Sequence, residues 1–229
     1  MTDIATMDEG LKRDIAASCT ARADFYRFLA SIFLYELTAE QIETFAATRF
    51  PQDGSKIGEG YARIAEYLRH RDSDTRQELA VDYAHTFLGA GNYNELMAPP
   101  YESVYTSEEH LLMQDARDGA VACYRAEGLD LPDDNTTPED HVGFEMQFMA
   151  TLVERMAAAL EEGDGERFGA LVASQRGFFD GHLANWLPAF ADDIDKHCRT
   201  DFYHGIADLV RGLLDEERAV LDDLEDLTK

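Results

Sequence analysis

The sequence predicts an all-α protein, a single-domain bundle of roughly eight to ten helices of ordinary globular length, and three observations predict it. Ala, Leu, Glu, Asp and Arg recur at helical rather than alternating periods. Val, Ile and Thr seldom alternate, and six prolines punctuate the chain, so a large sheet is not expected. The chain has 229 residues, 45% of them hydrophobic, enough for one sizeable core, and no repeat, low-complexity block or convincing boundary divides it.

Taken in order, residues from about Leu11 to Leu37 carry Ile15, Phe25, Phe28, Leu29, Ile32 and Phe33 at core-helix spacing. Thr38 and Gln41 form a capping box for a short helix ended by Pro51 and Gly54. A third helix spans about Ser55 to Arg71, and a fourth follows Ser73 or Asp74 to Leu88, with Gly89 and Gly91 available as left-handed C-terminal residues. From Ala90 to Thr106 the helical period stops. A loop this long is functional or mobile as a rule, and Tyr101, Val104 and Tyr105 suit a lid packed over the core.

Thr106 or Ser107 is expected to cap a fifth helix through Leu111, Leu112, Met113, Ala116, Val121 and Tyr124, ended by Gly128. A turn-rich linker then leads to a central helix started by Thr137 as N-cap and Pro138 at the first position, with Glu139 and Asp140 facing the helix dipole. Val142, Met146, Met149, Val153, Met156 and Leu160 form its buried stripe. After Gly163 a further helix runs to Leu183, Trp186-Leu187-Pro188 breaks it, a short helix reaches Ile194, and the last runs from about Asp201 to Glu217 or toward Leu227. The acidic ends, 1–10 and 218–229, read as solvated and free to flex.

Composition narrows function. Acidic residues number 46 against 20 basic, a formal charge of −26, with no basic cluster to track a phosphate backbone, so nucleic acid is excluded as a partner. Such a field steers basic partners. Cys19, Cys123 and Cys198 lie too far apart for a disulfide framework or a zinc knuckle. The N-terminal residues form no apolar leader and no run approaches a membrane span, so a cytoplasmic protein with no stable membrane insertion is expected, while oligomeric state is left open.

The phosphate-loop, nucleophile-elbow and His-Glu-x-x-His motifs are absent, and no cofactor is expected. Asp-x-x-His occurs twice, as Asp82/His85 and Asp201/His204, each pair on one helix face. Hydrogen bonding is the ordinary use of such pairs; a metal-dependent bundle enzyme is the alternative. His110, His182 and His197 read as isolated. At the start of the central helix, Asp140, His141 and Glu145 converge, either as capping groups or as a site. Trp186 reads as packing or, if partly exposed, as a peptide anchor.

Three segments together resemble the TorD/DmsD family of redox-enzyme maturation chaperones, related to the NarJ-type assembly chaperones. They are Tyr83-Ala84-His85-Thr86-Phe87-Leu88-Gly89 with Pro100-Tyr101-Glu102-Ser103-Val104-Tyr105; Pro138-Glu139-Asp140-His141-Val142 with Glu145, Phe148 and Met149; and His182-Leu183-Ala184-Asn185-Trp186-Leu187-Pro188-Ala189-Phe190 with Phe202-Tyr203. The resemblance implies a helical, cytoplasmic, non-enzymatic chaperone. Its partners would be the twin-arginine leader and the catalytic subunit of a molybdopterin-dependent oxidoreductase, held until cofactor insertion and assembly or export. Peptide binding then falls on Pro138, Asp140 and His141, faced by Tyr101, Glu102, Ser103 and Tyr105, with Glu145 and Trp186 as further contributors. Carboxylates would take the guanidinium groups and apolar walls the rest of the leader. His141, titrating near neutral pH, would make binding pH-dependent.

Overall fold

Each helix of the bundle has an identifiable start or stop. The computed structural model describes residues 4, 7–50, 53–90 and 97–228, and among these it has ten α-helices and no strand. Helix α1 (Glu9–Leu34) begins where Asp8 accepts from Gly10 N and Leu11 N, and α2 (Ala39–Ala47) carries the Thr38/Gln41 capping box. Ser55 caps α3 (Lys56–Arg69); α4 (Thr75–Phe87) is followed by Gly89 at φ +66°. Then come α5 (Glu102–Thr106), α6 (Asp115–Ala126) and α7 (Val142–Glu162), which Gly163 ends at φ +72°. Helix α8 (Gly165–Phe178) runs into a π-helical turn (Phe179–Leu183); α9 (Leu187–His197) opens with Pro188 in its first turn, and α10 (Asp201–Thr228) closes the chain.

Helix α7 is the centre of the core: Val142, Met146, Met149, Leu152, Val153 and Met156 are all fully buried. It packs chiefly on α1, and their approach depends on Gly143, where a Cβ would lie 2.4 Å from Leu34 Cγ. Helices α3 and α10 pair through Gly60 and Gly205, each of whose absent Cβ atoms would stand 2.8 Å from the other's carbonyl oxygen.

Two boundaries differ from expectation, and a third settles between two readings. The central helix begins at Val142, four residues later than the Thr137 cap implies, and His141 is its N-cap, with Nδ1 accepting from Gly143 N at 3.0 Å. Tertiary partners take the groups a local cap would have used. Asn135 engages Thr137, Arg117 grips Glu139 through two 2.6 Å bonds, and Val142 N donates to Pro100 O at 2.9 Å.

The second difference lies around residues 106–114. The short α5 falls inside the segment read as aperiodic, and Leu111, Leu112 and Met113, read as a helical core face, are exposed in a loop where His110 (φ +52°) and Met113 (φ +62°) are left-handed. Third, of the two extents read for the last helix the longer one is found: α10 continues to Thr228 and buries Leu221 and Leu224. Gly91 and the rest of 91–96 lie outside the described residues.

Candidate functional site

The three motif-bearing segments meet at one junction. Tyr101 and His141 form an isolated antiparallel bridge, closed by Val142 N to Pro100 O (2.9 Å) and Glu102 N to Asp140 O (3.1 Å). The two rings meet edge to face at 5.0 Å. Asp140 Oδ2 accepts from Ser103 N at 2.9 Å, and Ser103 Oγ accepts from Gln114 N at 3.1 Å. Asp140 thus caps the start of α5 rather than its own helix.

From the opposite side, the π-helical turn (Ala184 N to Phe179 O, 2.8 Å) inserts one extra residue into the helical phase. His182 Nδ1 then lies 2.8 Å from Glu102 Oε2, and Asn185 Nδ2 donates to Glu102 Oε1 at 3.0 Å. Trp186 is 1% exposed, donates Nε1–H to His182 O at 2.7 Å and packs beside Tyr105 at 5.3 Å. It is a core residue, in line with the packing reading; the peptide anchor required partial exposure.

Electrostatics at the junction follow from burial. Glu145 is fully buried and neither carboxyl oxygen has a hydrogen-bond partner; desolvation, reinforced by the charges of Glu102 and Asp140, raises its pKa well above the ordinary carboxylate range. Its ionised form is thus disfavoured beside Glu102. Burial also raises Asp140, against the hydrogen bonding from Ser103. For His182, burial alone would lower the pKa, but its contacts with Cys123 and Glu102 outweigh that and hold it at about 9. His182 and Glu102 form an ion pair at 2.8 Å.

His141, by contrast, is pushed down to about 4 by desolvation. It is neutral throughout the physiological range, so the expected titration near neutral pH is corrected: burial among apolar groups disfavours the imidazolium. Glu102, Ser103, Asp140, His141, Glu145 and Trp186 are all buried, while Tyr101, Tyr105 and Pro138 are half-buried at the surface edge.

The Asp-x-x-His pairs serve other ends. Asp82 is buried and accepts from Arg199 N (3.0 Å), Thr200 N (2.9 Å) and Thr200 Oγ1 (2.7 Å), so it caps α10 from across the bundle. His85 stands beside the Arg199 guanidinium, Asp201 is exposed, and His204 Nδ1 pairs with Asp195 Oδ1 at 2.6 Å. Among the described residues these four make no metal-holding group. Such a group does occur at Glu102, Glu145 and His182, whose ligand atoms lie within 4.8 Å of one another.

Sequence reasoning missed His182, which read as isolated, and Asn185, which carried no reading of its own, although both belong to the third motif segment. Only the phase shift of the π turn aims them at Glu102. It also missed Tyr124, which donates to Glu139 O at 3.0 Å, and Arg117, the partner of Glu139.

Comparison with known proteins agrees with this architecture. Residues 51–192 match the family described as nitrate reductase delta subunit. The chain is 28% identical over 223 residues to chaperone protein TorD of Psychrobacter sp. (strain PRwf-1), covering 91% of this chain and 95% of that protein. It is 25% identical over 206 residues to TorD of Vibrio parahaemolyticus, covering 86% and 93%, and 28% identical over 211 residues to TorD of Vibrio cholerae, covering 89% and 93%. A crystal structure from Archaeoglobus fulgidus, assigned to redox enzyme maturation, shares the fold with a TM-score of 0.51 at 19% identity, over 85% of this chain and 93% of its own. No helix among the described residues is long and apolar enough to cross a membrane. The family match spans more than half of the chain and includes the entire acid-lined junction, so this protein belongs to the nitrate reductase delta subunit family, of TorD/NarJ type, and is a redox-enzyme maturation chaperone rather than an enzyme.

Proposed function

We propose that the chain is a cytoplasmic chaperone for a molybdopterin-dependent oxidoreductase. It binds the client's twin-arginine leader, its apo catalytic subunit or both, and releases the client once cofactor has been inserted. The observation that carries the proposal is convergence: residues 101–105, 138–145 and 182–190, far apart in sequence, fold onto a single junction with Glu102, Asp140 and Glu145 inside and Tyr101, Tyr105 and Pro138 at its edge.

The chemistry suits a guanidinium ligand. Glu102 holds a single cation, His182, through one oxygen, whereas an arginine offers a planar fork of donors that a carboxylate accepts in bidentate fashion. Because these acids are buried, engagement requires the short α5 turn to lift away from α7, breaking the Tyr101–His141 bridge and exposing Asp140, Glu102 and Glu145 to the incoming leader. A five-residue helix held by a few hydrogen bonds is a low-stability element suited to such opening.

Co-purification from cells synthesising a molybdoenzyme, with mass spectrometry of the bound proteins, tests the client. Recovery of an immature catalytic subunit is expected; its absence under those conditions refutes the proposal. Asp140→Asn and His141→Asn test the site. If both variants fold and bind the leader as tightly as the wild type, peptide recognition lies elsewhere.

A further inference from the structure

Three side chains from elements far apart in sequence converge at the junction: Glu102 from α5, Glu145 from α7 and His182 from the π turn. One oxygen or nitrogen of each lies within 4.8 Å of the others, and His182 Nδ1 and Glu102 Oε2 are already 2.8 Å apart. Nitrogen and oxygen ligands sit about 2.0–2.2 Å from a divalent transition ion, and so up to about 4 Å from one another. An approach of less than about 1 Å therefore brings all three onto a single ion.

Glu145 is the member of this group that hydrogen bonding leaves unexplained. It is fully buried, and neither of its oxygens has a hydrogen-bond partner among the described residues. Desolvation disfavours its ionised form, and the nearby charges of Glu102 and Asp140, both negative, add to that. A cation held between Glu102 and Glu145 would offset these effects together. The other two donors are braced as metal ligands are. Asn185 Nδ2 holds the far oxygen of Glu102 at 3.0 Å, and His182 Nε2, on the opposite side of the ring from Glu102, faces Cys123 Sγ at 3.8 Å. The imidazole stacks on Phe178 at 4.9 Å, and Gly119 makes room for it, since a Cβ there would stand 2.8 Å from the ring Cε1.

We propose that Glu102, Glu145 and His182 bind one divalent transition ion of the zinc type, with water completing its coordination. The two carboxylates neutralise the ion. The imidazole favours it over magnesium and calcium, which take oxygen ligands and more of them than this set offers. Binding removes the proton from His182 Nδ1 and any proton held by Glu145. The ion ties α5 to α7 and to the π turn, so it holds the junction closed, whereas the leader takes the opened form. The metal chemistry is read from the three side chains alone and does not depend on the client.

The test uses the full chain, stripped with a chelator and kept in excess magnesium to occupy exposed carboxylates, and titrates it with zinc in competition with a chromophoric zinc chelator. One ion per chain is expected. Glu145→Gln, which preserves the size of the side chain, should weaken zinc binding at least tenfold, and so should His182→Ala. Asn185→Ala, at an exposed position outside the ligand set, should weaken it about tenfold. His204→Ala, which removes the imidazole paired with Asp195, should change nothing. Zinc should also raise the urea midpoint of the wild type and leave that of Glu145→Gln unmoved. No zinc binding by the wild type, several weak ions per chain, or wild-type affinity in both Glu145→Gln and His182→Ala would each overturn the proposal. A chain that binds zinc in this way but no leader would leave the metal site standing and remove the peptide reading.

Discussion

Replacing Glu145 with glutamine should stabilise the protein, and by an amount that grows with pH. In the folded chain Glu145 is fully buried, neither of its carboxyl oxygens has a hydrogen-bond partner among the described residues, and its pKa is raised well above 4.5. A carboxyl raised on folding contributes its full stability below its unfolded pKa and loses it as pH rises toward the folded one. Above pH 4.5 the chain must take up a proton to fold. That cost grows with pH by at most about 1.36 kcal/mol per unit.

Glutamine has nearly the shape of the protonated acid and titrates nowhere in this range. Urea unfolding followed through the single tryptophan, buried Trp186, reads the difference directly, and both pH values stay clear of the isoelectric point near 4.4. The expected result is a gain that is larger at pH 7 than at pH 5.5, the difference being at most about 2 kcal/mol. A gain that is absent, or the same at both values, would show that Glu145 is ionised in the folded chain and would refute the charge assignment at the junction.

Other substitutions probe the frame around the site. Asp82→Ala should lower stability by about 2–3 kcal/mol, since it orphans Arg199 N and Thr200 N at the start of α10, without altering the metal content of the purified protein. His141 acts in the opposite sense to Glu145. Its folded pKa of about 4 lies below the usual 6.5, so its contribution is complete above pH 6.5 and falls as pH drops. His141→Asn, which retains a capping oxygen, should flatten the stability profile by about 1 kcal/mol between pH 7 and 5.5, as read by urea unfolding at the two values. Gly143→Ala should cost about 1–3 kcal/mol by forcing a methyl group against Leu34, and Leu34→Ala in the same chain should relieve part of that loss.

Most of the fold was legible because it is written locally. The Thr38/Gln41 box, the stripe from Val142 to Leu160 and the stops at Gly89 and Gly163 depend on near neighbours in sequence and appear where they were expected. What was hidden depends on partners far away. Asp140 would cap its own helix in isolation, and it is Ser103 N, 37 residues distant, that takes its carboxylate instead. Asp82 has the spacing of a metal ligand, yet its partners are the backbone amides of residues 199 and 200. Leu111, Leu112 and Met113 carry a helical pattern without a neighbouring element to bury it. The acid junction was visible as residue types, while its protonation was not, because burial decides that and burial is a property of the assembled bundle.

The bridge between Tyr101 and His141 has a consequence for the way this chain can vary. Side chains on paired extended residues alternate between faces, so a slip of a single residue would exchange Asp140 with His141 and Glu102 with Tyr101, taking the acids away from Ser103, His182 and Asn185. A deletion or insertion beside the bridge is thus equivalent to losing every side-chain contact of the junction at once. The turns at 107–114 and 128–137 hold no such register and can change length at little cost. Length polymorphism between relatives should therefore collect in those two turns and stop short of residues 100–103 and 139–143, even where side-chain identities there have diverged.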